Sequence, residues 1–371
     1  MNGRPAVLTV DLDALASNWQ ALARLTAPAR CAAVVKADAY GLGATPVVRR
    51  LLQAGCREFF VARVDEGIRL RDSLADVWPR EARLYVLHGA PREAEQDCLT
   101  YGLVPVLGSR QQVDHWRALA RRLGRALPTA LQVDTAMSRQ GLSPLILARL
   151  IDADDGLAGL ATELVISDLV HARNPQHPAN RRQLELVHRW RQRFPAARAS
   201  LACSAGIFLG ADFHLDLVRT GAAMYGATPT VGQRTPMRQV VQVQARLLHC
   251  QHISTGEPMG DRNTSRAQRP TRLATVALGP VGDYLCGPAS HGRLRLQGRR
   301  MTWVGRPSTD TVTVDITDVD DERLTPGRLL EVLDEVQDIN ALAQLARTNA
   351  FEVLTSLCGR YRRQYRGSVP L

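Results

Sequence analysis

The stretch Ala32-Ala33-Val34-Val35-Lys36-Ala37-Asp38-Ala39-Tyr40-Gly41-Leu42-Gly43 decides how the rest of the chain is read. Four small or β-branched apolar residues in a row read as a short strand, and the polar, glycine-containing segment from Lys36 onward ends it. The same unit recurs on either side. Aliphatic runs stand at 32–35, 58–62, 84–87, 104–107, 130–133, 164–166, 198–202 and 216–218. Helical stretches fit between them, at 14–25, 47–52, 110–123 and 181–194, the last two with apolar residues at three- and four-residue spacing. Repeated strand–helix units predict a parallel sheet, and eight of them predict an α/β fold of the (β/α)8 TIM-barrel type. Catalytic groups of such barrels sit at the C-terminal ends of strands, which is where Lys36 follows the run 32–35.

After Thr228 the texture changes. Strand-like segments at 240–248, 271–278, 292–297, 301–304 and 311–316 are joined by short Gly, Pro or polar turns, with a helical piece at 339–347 and a final strand at 351–357. These imply a mostly β C-terminal domain. The expected boundary separates residues 1–230 from residues 231–371, with a hinge at 228–236.

Of 47 basic residues against 36 acidic, which leave a formal charge of +11, Lys36 is the only lysine and the other 46 are arginines. A solvated surface charge is served equally well by guanidinium, so position 36 is expected to need an amine. Only an amine can lose its proton and act as a nucleophile or base, whereas arginine stays charged. The arginines are dispersed, with no basic run interleaved with aromatics, so nucleic acid is not the expected partner. No apolar segment approaches the length of a membrane span. The acidic start, with Asp11 and Asp13, has no secretory pattern, and the expected location is the cytoplasm. Seven scattered cysteines without a C-x-x-C pair argue for reduced thiols and against a zinc site.

The segment 33–43 closely resembles the cofactor-attachment motif of the alanine racemase family, the fold-type III pyridoxal-phosphate enzymes. Further stretches resemble the family in the same order: Phe60-Val61-Ala62 with Asp65-Glu66-Gly67, 133–139, Ser204-Ala205-Gly206, 218–221 leading to Tyr225-Gly226, Val304-Gly305-Arg306 with Asp310, and 351–355. The resemblance spans nearly the full length. It implies a pyridoxal 5′-phosphate-dependent amino-acid racemase, acting on alanine or a related small amino acid, and a head-to-tail homodimer. It also implies roles. Lys36 would carry the cofactor as an imine and act as base on one face of the substrate. Tyr40, Ser204 and the backbone at Gly221 and Ala222 would hold the phosphate. Arg139 would bond the ring hydroxyl and lie near the substrate carboxylate, with Thr309 also on the substrate side, and Arg219 would face the pyridine nitrogen.

This chain also departs from the family pattern. Where the family has Gly-Tyr-Ala-Asp-Gly-Tyr, whose first tyrosine is the second proton-transfer base, the chain reads Gly279-Pro280-Val281-Gly282-Asp283-Tyr284. Proline has no ionisable group, and racemisation needs a proton carrier on each face. Phe351 replaces a phosphate-binding tyrosine, Asp168 a histidine, Cys203 an asparagine and Thr309 a methionine. Gln132 stands where some members have a carboxylated lysine. Three readings therefore stand side by side: a racemase with a substitute base, a one-base enzyme on the same scaffold (elimination, decarboxylation, transamination or stereospecific exchange), and a cofactor-binding protein without turnover.

Overall fold

The structure, a computed structural model, describes residues 6–153, 155–230, 236–259, 265–278, 293–296, 299–305, 308, 310–319, 324–334, 337–357 and 361–367. Strand β1 (Ala6–Asp11) is followed by the helix Leu12–Thr26 and then by the eight strands β2 (Arg30–Val34), β3 (Glu58–Val61), β4 (Arg83–Val86), β5 (Leu103–Leu107), β6 (Leu127–Gln132), β7 (Leu160–Ile166), β8 (Arg198–Ser200) and β9 (Leu217–Thr220). These eight form one parallel sheet in the order β8-β7-β6-β5-β4-β3-β2-β9. The ends of the sheet meet where Arg219 N–H donates to Ala202 O at 2.9 Å and Asp216 N–H to Ala199 O at 3.1 Å, so the sheet curls into a nearly closed barrel. Each of the eight runs picked out in the sequence carries one of these strands.

The helices between them form for local reasons. Ser109 Oγ accepts from Gln112 N–H at 3.2 Å to start the helix Arg110–Leu123, and Gly124, at φ 63°, ends it in the left-handed conformation that glycine tolerates. Ser143 caps the helix Pro144–Asp152 in the same way, with Pro144 at the position where a missing N–H costs nothing.

Alternation along the strands fills the barrel. Ala32, Val34, Phe60, Tyr85, Val104, Val106, Ala130, Leu164, Ile166 and Leu217 form its buried core. Side chains two residues apart share a face, so the next inward positions toward the C-terminal ends are Lys36, Leu87, Gln132, Asp168 and Arg219. Most of each inward column is apolar packing, and four of the five columns named end in a polar or charged side chain.

Among the described residues, the second compact unit comprises 6–14 with 239–367, and the barrel unit comprises 15–238. This division differs from the boundary drawn in the sequence at 230/231, because β1 belongs to the β-rich unit. There it pairs antiparallel with β10 (Val241–Ile253), Val7 opposite Gln244, and parallel with β18 (Arg362–Arg366). The sheet continues from β10 through β13 (Thr271–Ala277), β16 (Val312–Asp315) and β15 (Arg299–Trp303) to β14 (Arg293–Leu296), while β17 (Leu329–Leu333) also pairs with β10. Two short strands, β11 (Pro258–Met259) and β12 (Ser265–Arg266), form a separate ladder.

One expectation is corrected here. The segment 351–357 is not a strand: the helix Ala350–Ser356 occupies it, started by Asn349 Oδ1 accepting from Glu352 N–H at 2.9 Å. Its buried residues Ala350, Val353, Leu354 and Leu357 recur at helical spacing, which outweighs the short apolar run that reads as β. No described helix is long and apolar enough to cross a membrane.

Candidate active site

Lys36 begins a single turn of left-handed helix. Ala37, Asp38, Ala39 and Tyr40 all have φ between 53° and 55°, a conformation that costs a non-glycine residue roughly 1–2 kcal/mol. Hydrogen bonds on both sides hold it. Within the turn, Ala39 N–H donates to Val35 O at 2.9 Å and Gly41 N–H to Ala37 O at 2.8 Å. From outside, the Glu66 carboxylate accepts from Ala37 N–H at 3.0 Å and Ala62 N–H at 2.7 Å, tying the turn to the end of β3. Asp38 Oδ1 accepts from Ala44 N–H at 2.7 Å at the start of the next helix, Ala44–Gln53. Backbone strain maintained by this many contacts marks places where side-chain aim matters more than local comfort.

The turn delivers Tyr40 back against β9. The Tyr40 ring packs 4.9 Å from that of Tyr225, whose buried hydroxyl donates to Val34 O at 3.1 Å. A Cβ built on Gly221 would come within 2.6 Å of the Tyr40 hydroxyl, so a larger residue there would displace that hydroxyl. Beside it, Ser204 Oγ accepts from Gly221 N–H at 2.8 Å and from Ala223 N–H at 3.2 Å. Ala222 opens the short turn Ala222–Tyr225 that presents these amides. The Ser204 and Tyr40 hydroxyls, the backbone N–H groups gathered on Ser204 Oγ and a glycine without a side chain converge on one corner, polar groups and a close approach that suit a phosphate monoester, to which those N–H groups could turn. The residues present therefore fit the phosphate of pyridoxal 5′-phosphate, and Lys36 fits its aldehyde.

The opposite side of the mouth is charged. Arg219, on β9, is 5% exposed, and its guanidinium donates to Ser200 Oγ at 3.0 Å, to Leu201 O at 3.3 Å and to Ser167 O. Asp168 lies two residues beyond β7. Its Oδ1 is 2.9 Å from Arg219 Nη1, and its Oδ2 is 3.4 Å from Arg139 Nη2. Arg139 follows a tight loop in which Asp134 Oδ1 accepts from Ala136, Met137 and Ser138 N–H at 2.9–3.2 Å. Burial alone would raise the Asp168 carboxyl, but Arg219 and Arg139 hold it below the usual carboxylate range. Burial lowers the Lys36 amine. Asp168 and Glu66 oppose that fall, while Arg139 and Arg219 add to it. A lowered amine is the state an imine-forming lysine needs.

Gln132, where some family members carry a carboxylated lysine, is buried, and its amide donates to Gln140 O at 3.5 Å. Next to it a cavity of about 420 Å³ is lined by Leu87, His88, Gln112, Gln132, Arg139 and Gln140, among others.

The structure thus brings Lys36, Arg139 and Arg219 around Asp168, and Tyr40, Ser204, Gly221 and Ala222 to the neighbouring corner. Thr309, Arg306 and the stretch 279–284 with Pro280 lie outside the described residues. The sequence reading assigned nothing to Glu66, Tyr225 or Asp38. Glu66 had a local signal, since a glutamate three residues into a helix commonly reaches back to free backbone N–H groups. The other two had none.

The chain matches the family model described as "Alanine racemase, N-terminal domain" over residues 10–229 and "Alanine racemase, C-terminal domain" over residues 240–365. It is 45% identical over 363 residues, 98% of this chain and 96% of the relative, to a protein of Rhodospirillum rubrum named alanine racemase. A relative in Mesorhizobium japonicum named catabolic alanine racemase is 39% identical over 98% of this chain and 93% of its own length. Among solved structures, the alanine racemase of Bartonella henselae, described with covalently bound pyridoxal phosphate, superposes with a TM-score of 0.89 at 35% identity, covering 98% of this chain and 99% of that one. With the strand-end lysine, the phosphate corner and both halves of the chain accounted for in this way, the chain belongs to the alanine racemase family.

Proposed function

We propose that this chain interconverts L- and D-alanine with pyridoxal 5′-phosphate held on Lys36, as one half of a homodimer. The observation that carries the reading is the placement of the only lysine, with a lowered amine, at a barrel strand's end beside a corner built for phosphate. When bound, the cofactor withdraws electron density from the substrate's α-carbon and so acidifies its proton.

The chain's residues do the rest. Ser204, Gly221, Ala222 and Tyr40 hold the phosphate and so fix the orientation of the ring. Arg219, which cannot surrender its proton, would face the ring nitrogen and so would leave it unprotonated, which would limit side reactions. Arg139, the exposed guanidinium of the pair bridged by Asp168, receives the substrate carboxylate. Lys36 removes and returns the α-proton on its own face, a task suited to an amine that burial has made easier to deprotonate. The family resemblance assigns Thr309 to the substrate side as well.

A second reading is kept because Pro280 offers no proton on the other face. In it Lys36 is the sole proton carrier and the enzyme acts on one enantiomer. Proton exchange in D2O, followed by NMR and by optical rotation on L- and D-alanine separately, separates the two. Deuterium at the α-carbon from either enantiomer, with loss of rotation, is the racemase result. Deuterium from one enantiomer with rotation retained is the one-base result. No exchange from either, in protein carrying the cofactor on Lys36, rejects both.

A further inference from the structure

We propose that Asp168 is a positioning residue of this site, a carboxylate bridge that fixes Arg219 and Arg139 relative to one another and supplies the negative charge facing Lys36. The bridge is visible in the use of two different oxygens, Oδ1 toward Arg219 Nη1 at 2.9 Å and Oδ2 toward Arg139 Nη2 at 3.4 Å. Arg219 is anchored without it, through Ser200, Leu201 and Ser167. The Arg139 side chain is 64% exposed, and Asp168 is the contact that ties it to the strand ends.

The bridge itself stands on rigid support. Gln183, buried on the helix Ala179–Gln192, donates from Nε2 to Asp168 O at 2.9 Å and to Thr135 Oγ1 at 2.8 Å, and its Oε1 accepts from Val170 N–H at 2.9 Å. Thr135 in turn lies 2.8 Å from Ser167 Oγ. One glutamine therefore fixes the loop that carries Asp168 to the loop that carries Arg139. Charge-assisted contacts held by a buried network reorganise little when a ligand arrives.

Four charged groups face Lys36: Asp168 from the end of β7, Glu66 from the helix Val64–Ser73, Arg139 from the loop after β6 and Arg219 from β9. Glu66 is committed to backbone N–H groups. Asp168 is the carboxylate whose removal changes the balance most, leaving two guanidiniums unopposed beside the amine. What the arrangement serves, substrate carboxylate on Arg139 and ring nitrogen on Arg219, rests on the proposed racemase reading. The charge coupling does not, and it is read in the cofactor-free chain.

A single lysine makes the test clean. The full cofactor-free chain labelled with 15N-lysine gives one side-chain amine signal, whose pH titration reports the field at Lys36. In Asp168→Asn the midpoint is expected to fall by about one pH unit, the usual effect of losing an opposite charge at close range. Asp168→Glu is expected to recover at least half of that fall. Arg139→Gln, at an exposed side chain, is expected to move the midpoint up, and it keeps the test open if Asp168→Asn does not fold. The proposal is overturned if Asp168→Asn folds and leaves the Lys36 midpoint unmoved, if Asp168→Glu recovers nothing, or if Arg139→Gln produces no upward shift. These results stand whether or not the protein turns over alanine.

Discussion

The two ends of the barrel are both closed by charged side chains, and they close differently. At the N-terminal end Glu58, 4% exposed, takes Arg198 at 2.6 Å and Arg30 at 3.2 Å on one oxygen, while its other oxygen lies 3.4 Å from the Tyr85 hydroxyl oxygen. Tyr85 donates to Glu163 Oε1 at 2.7 Å and accepts from Arg198 at 2.9 Å, and Arg83 closes the group 3.5 Å from Glu163. Two carboxylates there are shared among three arginines and a tyrosine, and each is engaged by several partners. At the C-terminal end three cationic groups, Lys36, Arg139 and Arg219, surround Asp168, with Arg139 largely exposed and the lysine amine lowered. The floor is saturated, and the mouth retains an amine and a positive charge for something that is not part of the chain. Saturation is what a stability element needs, and unspent valence is what a catalytic one needs.

The largest effect expected from breaking this contrast is at Lys36. Lys36→Arg keeps the charge and removes the chemistry. It is expected to abolish cofactor attachment and lower proton exchange at alanine by more than about 10⁴-fold, with an unchanged urea midpoint. At the floor the sign is reversed. Glu58→Gln leaves the arginines without their buried counter-charge and is expected to lower the unfolding free energy by about 3 kcal/mol, while exchange per folded molecule stays at the wild-type rate. Gly221→Ala pushes a methyl toward the Tyr40 hydroxyl and is expected to weaken cofactor binding by about tenfold, or about 1.4 kcal/mol, in a fluorescence titration. The smallest effect is expected at Arg30, whose side chain is 69% exposed in its pair with Glu58. Arg30→Ala is expected to change stability by less than about 1 kcal/mol, because solvent already screens that pair.

The contrast between the two ends was only partly legible in the sequence. The eight barrel strands were, because parallel strands buried on both faces read as near-continuous aliphatic runs. So was Lys36, by its uniqueness. The floor cluster was not: Glu58, Tyr85, Glu163 and Arg198 come from four different strands, and nothing local distinguishes them from surface charges. The left-handed turn at 37–40 was hidden too, since Ala37 and Ala39 favour right-handed helix on their own and Glu66 and Asp38 hold them otherwise. The pairing of β1 with β10 and β18 joins segments more than 200 residues apart and leaves no local pattern. The segment 351–357 did carry its helical period, in Ala350, Val353, Leu354 and Leu357, but the run is short enough for strand and helix to compete.

The most direct measurement reduces the cofactor-loaded chain with borohydride at several pH values and maps the product by mass spectrometry. The account predicts one pyridoxyl adduct per chain, on Lys36. It also predicts that loading of cofactor-free protein rises with pH, because the neutral amine is the reactive form, and reaches half its maximum below the free-lysine value of about 10.4. A chain left unmodified at Lys36 after loading and reduction, or modified only at its amino terminus, contradicts it.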